Sequence, residues 1–131
     1  MNITHHNIKG MPAPNGYYHA TVAEAGKIVF LSGQVGADGN GIIPPGLSDQ
    51  IKNALINIGH ACIAAGADVR NITKVTFYVV NWNVAMMQHI IEGTTAAKEV
   101  YDFPDTALTL ISVNGLFTPD MLVEIEGMAV I

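Results

Sequence analysis

The sequence predicts an α+β fold of two layers, a mixed β-sheet with two helices packed on one face. Three observations predict it. Two segments carry the apolar spacing of half-buried helices, five are rich in β-branched and aromatic residues, and their order is strand, strand, helix, strand, helix, strand, strand. With 131 residues, 50% of them hydrophobic, the chain is long enough for one domain over residues 1–131 with a sizeable core.

Residues 1–18 read as mostly irregular, with a loop at Met11-Pro12-Ala13-Pro14-Asn15-Gly16. His19 to Ala23 and Lys27 to Ser32 read as two strands, joined into a hairpin by Glu24-Ala25-Gly26. Four glycines between Gly33 and Gly41 then break regular structure and permit close approach of another group. Ser48 is read as the N-cap of the first helix, with Asp49 at the positive end of its dipole. Ile51, Ala54, Leu55, Ile58, Ala61, Cys62 and Ala65 share one face, and Gly66 suits the C-cap. Ile72 to Val80 reads as a buried strand. The second helix is expected over Val84 to Tyr101, with Met87, Ile90, Ile91 and Ala97 toward the sheet and Gly93-Thr94-Thr95 weakening its middle. Pro104 ends it. Ala107 to Val113 is the next strand, Asn114 to Asp120 a loop, and Met121 to Ile131 the terminal strand.

With both helices on one side, nothing in the chain covers the other sheet face. Val75, Phe77 and Val79 alternate with Lys74, Thr76, Tyr78 and Val80, and neither set is strongly polar. Only 13% of residues are charged. The open face therefore predicts self-association.

The net charge is −5 with six Lys and Arg and no basic run, which argues against nucleic acid as a partner. A single cysteine allows no internal disulfide and suits a reducing compartment. No apolar stretch approaches the ~20 residues of a membrane span. Met1 to His6 has neither the basic start nor the apolar block of a secretory signal. A cytoplasmic location and no membrane partner are the expectation.

The terminal strand holds the most informative pattern. Glu124 and Glu126 leave one face, and Val123 and Ile125 the other. Charges are depleted in strands. A solvated sheet face accounts for the pair, and so does a carboxylate placed for acid–base work. Tyr17 and Tyr18 follow the Pro-rich loop and suit either a pocket or packing with their tips in water. The five histidines form no His-x-His pair or HExxH motif, so no metal is expected. Cys62 lies on the apolar helix side and reads as a small core residue, not a nucleophile. Ser32 lacks a Gly-x-Ser-x-Gly elbow, and residues 33–41 lack phosphate-loop spacing. Arg70, the only arginine, falls between helix and strand. No Lys or Arg follows Lys98, so the terminal strand has no cation from its own neighbourhood in sequence.

Three stretches together resemble the Rid family, the reactive intermediate deaminases once called L-PSP endoribonucleases. They are Gly26-Lys27-Ile28-Val29-Phe30-Leu31-Ser32-Gly33-Gln34, Ala64 to Val79, and Leu122-Val123-Glu124-Ile125-Glu126-Gly127-Met128-Ala129-Val130, in the family's order. The resemblance implies a chorismate-mutase-like fold assembled as a homotrimer with a central barrel and ligand clefts between subunits. It implies hydrolysis of small enamines and imines without cofactor or metal. Position by position it makes Glu124 the group that activates water. Tyr17, Ser32, Gly33, Leu108 and Thr109 would be the substrate-binding positions.

One departure stands out. Related deaminases hold an arginine in a Pro-Ala-Arg-Thr/Ser stretch that clamps the substrate carboxylate. This chain has Thr106-Ala107-Leu108-Thr109 there; Leu108 takes the arginine position, or Thr106 if Pro104 is matched. Losing a bidentate charged partner costs about 2–5 kcal/mol of binding. The sequence thus predicts a small-molecule protein acting on imines or related C–N bonds in substrates without the usual carboxylate. The alternative is a non-catalytic ligand-binding or regulatory homotrimer that keeps the cleft.

Overall fold

The computed structural model describes every residue except Met1 and Ala25. Its elements are β1 (Ile3–His6), β2 (Ala20–Ala23), β3 (Ile28–Val35), α1 (Leu47–Ala64), β4 (Ile72–Val80), α2 (Met87–Lys98), β5 (Ala107–Val113) and β6 (Val123–Val130), with single 3-10 turns at Val69–Asn71 and Val84–Met86. The main sheet is mixed, in the order β3-β6-β4-β5, with only β4 and β5 parallel.

The main difference from expectation is at the N-terminus. Residues 3–6 form a strand, and β2 pairs with it in a separate two-stranded sheet. β3 pairs instead with β6, closed at its end by reciprocal bonds between Lys27 and Ile131. Among the described residues β2 and β3 do not pair, and Ala25 of the expected turn lies outside the described residues. Propensity alone does not choose a strand's partner, and β6, the strand most distant in sequence, supplies the longer apolar match.

α1 lies on β3 and β6, and α2 lies against α1. Ile51, Ala54, Leu55, Ile58 and Cys62 are buried as the spacing requires, against Val75, Phe77, Val79, Val123 and Ile125. Ala61 is half-buried and Ala65 exposed. Gly66 takes φ +81° and Ala67 N–H bonds Cys62 O, a glycine-ended helix as expected. The N-terminus differs. Gly46 is the cap residue, after two prolines that cannot be helical donors, and Ser48 sits in the first turn. The Ser48 hydroxyl is turned to α2, 3.0 Å from both Glu92 Oε2 and His89 Nδ1.

Gly93 does more than weaken α2. A methyl there would stand 2.6 Å from Ser48 O and 2.7 Å from Ile51 Cβ, so its absence sets the approach of the two helices. Because α2 meets the sheet through α1, Met87 and Ile91 remain exposed, while Ala97 is buried and Ile90 partly so.

The glycine-rich segment after β3 is tied to α1. Asn57 Nδ2 donates to Val35 O and Ala37 O, and Asn53 Nδ2 to Gly36 O. Gln50 is fully buried and satisfied on all sides. Its amide donates to Pro44 O and Asp120 O, and its carbonyl accepts from Leu122 N–H. One helix side chain thus fixes the chain just before it enters β6, two residues from Glu124.

Candidate functional site

Strand alternation places Glu124 and Glu126 on the sheet face away from the helices, both partly exposed, with Val123 and Ile125 fully buried behind them. The register puts Val35 on one side of Glu124 and Tyr78 on the other. β3 is irregular between Leu31 and Gln34, where Ser32 and Gly33 slip the pairing with β6. That slip aims the bare α-carbon of Gly33 at the Glu124 carboxylate. A methyl on Gly33 would overlap Glu124 Oε1 and stand 2.8 Å from its Cδ and 3.0 Å from its Cγ. The Ser32-Gly33 backbone and the Glu124 carboxyl are therefore one crevice, built from segments 91 residues apart.

The other expected contacts lie elsewhere. Tyr17 is on the surface with its ring edge-on to His19 at 6.1 Å. Its neighbour Tyr18 bonds Thr106 O and bridges to Ala107, so this tyrosine pair sits at the start of β5. Leu108 packs on the core cluster, paired with Val75, and offers nothing polar. Thr106 is buried, with its hydroxyl bound to Ile72 O and Thr21 Oγ1. Thr109 is exposed on the open face and accepts from Lys74 Nζ at 2.6 Å. β5 is two strands from β6, roughly 10 Å at ordinary strand spacing. Within one chain, then, Glu124, Ser32 and Gly33 come together, while Leu108 and Thr109 lie on β5 toward the opposite edge, on different faces of the sheet, and Tyr17 stands at the surface near its start.

The structure adds two features invisible in the sequence order. Lys74 is a cation on the open face, level with Met128. Met128 lies four positions from Glu124 on β6, roughly 13 Å along the strand. Tyr78 hydrogen-bonds Glu126 Oε1 rather than its direct partner Glu124. Both features depend on the pairing of β4 with β6, which no local pattern encodes.

A shallow depression of about 420 Å³ lies over the same face, lined by Phe30, Ser32, Lys74, Thr76, Glu126 and Met128. Phe30 is 74% exposed there, and Ile28 and Ile111 are also exposed. This is the apolar face the sequence left uncovered. Among the described residues no three His, Cys, Asp or Glu side chains cluster to hold a metal. Cys62 is enclosed in the core, and burial, with a smaller contribution from Asp68, pushes its thiol up to about 11. It is no nucleophile at neutral pH. No helix among the described residues is long and apolar enough to cross a membrane.

Comparison with known proteins bears on the family and the fold. The model of the family described as Endoribonuclease L-PSP matches residues 8–131. A 2-iminobutanoate/2-iminopropanoate deaminase of Mus musculus is 35% identical over 74 residues, covering 55% of this chain and 54% of that protein. The match thus spans about half the length of that relative. A RutC family protein of Pyrococcus horikoshii is 30% identical over 90% of both chains. Among solved structures, a Rid family protein of unknown function from Yersinia pestis superposes with a TM-score of 0.86 at 27% identity, over 100% of each chain. TdcF of E. coli, solved with bound serine, gives 0.70 at 25% identity over 98% of each chain.

Proposed function

We propose, since this chain belongs to the Endoribonuclease L-PSP (Rid) family, that it binds a small molecule and hydrolyses an imine, enamine or related C–N bond with Glu124 as the acid–base group. The observation that carries this reading is the contact of Glu124 with the side-chain-free Gly33. A carboxylate seated against an open backbone segment can hold a water and exchange protons with it. In the reaction the water oxygen bonds the imine carbon while Glu124 takes its proton. Glu124 returns that proton to the nitrogen, giving a carbinolamine, then takes the hydroxyl proton and passes it to the nitrogen as the C–N bond breaks, leaving a carbonyl compound and ammonia or an amine. No cofactor enters these steps.

The crevice is completed by another copy of the chain. Glu124 with Ser32-Gly33 lies near one edge of the sheet, and Tyr17, Leu108 and Thr109 near the other, farther apart than one small ligand spans. Three copies with their open faces inward would hide Phe30, Ile28 and Ile111 and bring the second edge of one copy to Glu124 of the next. A homotrimer with crevices between subunits, in the reducing cytoplasm, is the assembly this reading takes.

The substrate lacks the usual carboxylate. Neither Leu108 nor Thr106 can replace an arginine clamp, because one packs on the core and the hydroxyl of the other is engaged. Lys74 is bound to Thr109 and too far along the strand to serve a small ligand at Glu124. RNA is not the substrate of this reading, despite the family's description, since a chain of net charge −5 has no basic surface for phosphates.

The test compares ammonia release from a freshly generated uncharged imine with that from 2-aminoacrylate, using wild type and Glu124→Gln. The reading expects turnover of the uncharged imine that Glu124→Gln removes without unfolding. Faster Glu124-dependent turnover of 2-aminoacrylate would refute the substrate assignment. No turnover of either, with ligand-induced thermal stabilisation retained, would favour the non-catalytic binding trimer.

A further inference from the structure

Glu126 is a second carboxylate on the open face, and the chemistry above leaves it idle. Two carboxylates at alternate strand positions stand roughly 7 Å apart. Something must decide which of them is free.

Tyr78 stands on β4 in register with Glu124, yet its hydroxyl donates to Glu126 Oε1. The bond runs diagonally across the ladder, reaching past the nearer carboxylate's own cross-strand position. The phenol is held protonated above the ordinary tyrosine value, first by its hydrogen bond to Glu126, then by burial, then by the negative charges of Glu126 and Glu124. It is therefore a permanent donor at neutral pH. Among the described residues no Lys or Arg forms an ion pair with Glu126, although Lys74 lines the same depression. Lys74, on the same strand, is engaged with Thr109, while β5 sets Ile111 beside Tyr78 and β3 sets Val35 beside Glu124.

We propose that Tyr78 is a positioning residue whose hydroxyl clamps Glu126 to the sheet and leaves Glu124 the one carboxylate free to exchange protons with a ligand in the crevice. The inference rests on the reading above for the role of Glu124. A carboxylate that accepts a hydrogen bond from a permanent donor is held in one orientation. Released, Glu126 becomes a mobile negative charge near Glu124 and disfavours a second one.

The test is a pH titration of the full-length chain labelled with carbon-13 at tyrosine Cζ, which follows each of its four tyrosines. Tyr78 should ionise above the ordinary tyrosine value. Glu126→Gln should bring its midpoint down at least twice as far as Glu124→Gln does. An equal or larger effect of Glu124→Gln, or none from Glu126→Gln, would overturn the clamp. Where the chain turns over an imine, Tyr78→Phe should lower kcat about 10-fold with a smaller change in KM and move the acidic limb of the pH–rate profile upward. Adding Glu126→Gln to that variant should move the limb back. An unchanged limb in Tyr78→Phe would overturn the positioning role even if the titration succeeds. Absence of turnover in wild type would remove the catalytic reading of Glu124 alone, and the titration would still decide the clamp.

Discussion

Replacing Gly33 by alanine separates the role of Glu124 from its contribution to the fold. Gly33 does not take a left-handed φ, so alanine can adopt its backbone conformation without strain. The whole perturbation is the added methyl, which overlaps Glu124 Oε1 and lies 2.8 Å from Cδ. Ordinary carbon contact needs ~3.5 Å, so the carboxyl must retreat by roughly 1 Å or more. The obstacle is the end of a flexible, partly exposed side chain. Relaxation is therefore cheap, and the stability loss should stay near 1 kcal/mol, the low end of the overpacking range. That corresponds to a fall in Tm of about 4 °C for a domain of this size. Catalysis is far less forgiving, since a misplacement of about 1 Å costs about 100-fold. The assay is kcat/KM for ammonia release from the uncharged imine, with thermal denaturation in parallel. A fall of about 100-fold with a nearly intact Tm is expected. Near-wild-type turnover by a folded Gly33→Ala protein would show that the chemistry does not use the carboxyl against Gly33.

Three further outcomes follow from the packing. Gln50→Leu, at a fully buried position, removes the partner of two part-buried carbonyls and one N–H, and should cost about 3 kcal/mol, seen as a fall in Tm of about 10 °C. Gly93→Ala would be stabilising by helix propensity alone, by about 1 kcal/mol. The contact with Ser48 O and Ile51 should reverse the sign, so urea denaturation should show a net loss. The Cys62 thiol, pushed up to about 11, should resist iodoacetamide at pH 8 in the folded protein and react once urea unfolds it. The same shift makes its contribution to stability full below the unfolded thiol value, lost as pH rises from about 9 through about 11, and visible as a falling urea midpoint over that window.

Local periodicity made much of this molecule legible. The face of α1 from Ile51 to Cys62, the glycine end at Gly66, the buried β4 and the shared face of Glu124 and Glu126 all follow from spacing of two or 3.6 residues. What stayed hidden is non-local. That Gly33 meets Glu124, or that Tyr78 reaches Glu126, depends on β6 inserting between β3 and β4, and strand pairing across such separations leaves no local mark. The same holds for Gly93, whose meaning lies in a helix crossing and not in its own propensity. The strand at Ile3–His6 escaped because a four-residue segment with two histidines and a threonine carries too little β-signal until β2 pairs with it. Its neighbour Tyr17 read equally well as pocket or packing residue, and in one copy it remains at a surface edge.

Sedimentation equilibrium of the intact chain tests the proposed assembly most directly, because covering the open sheet face and completing the crevice both require it. The account predicts a single species of three times 13.9 kDa that Phe30→Asp breaks apart without melting the monomer's core. A stable species at 13.9 kDa, with the face around Phe30 open to solvent at all concentrations, would contradict it.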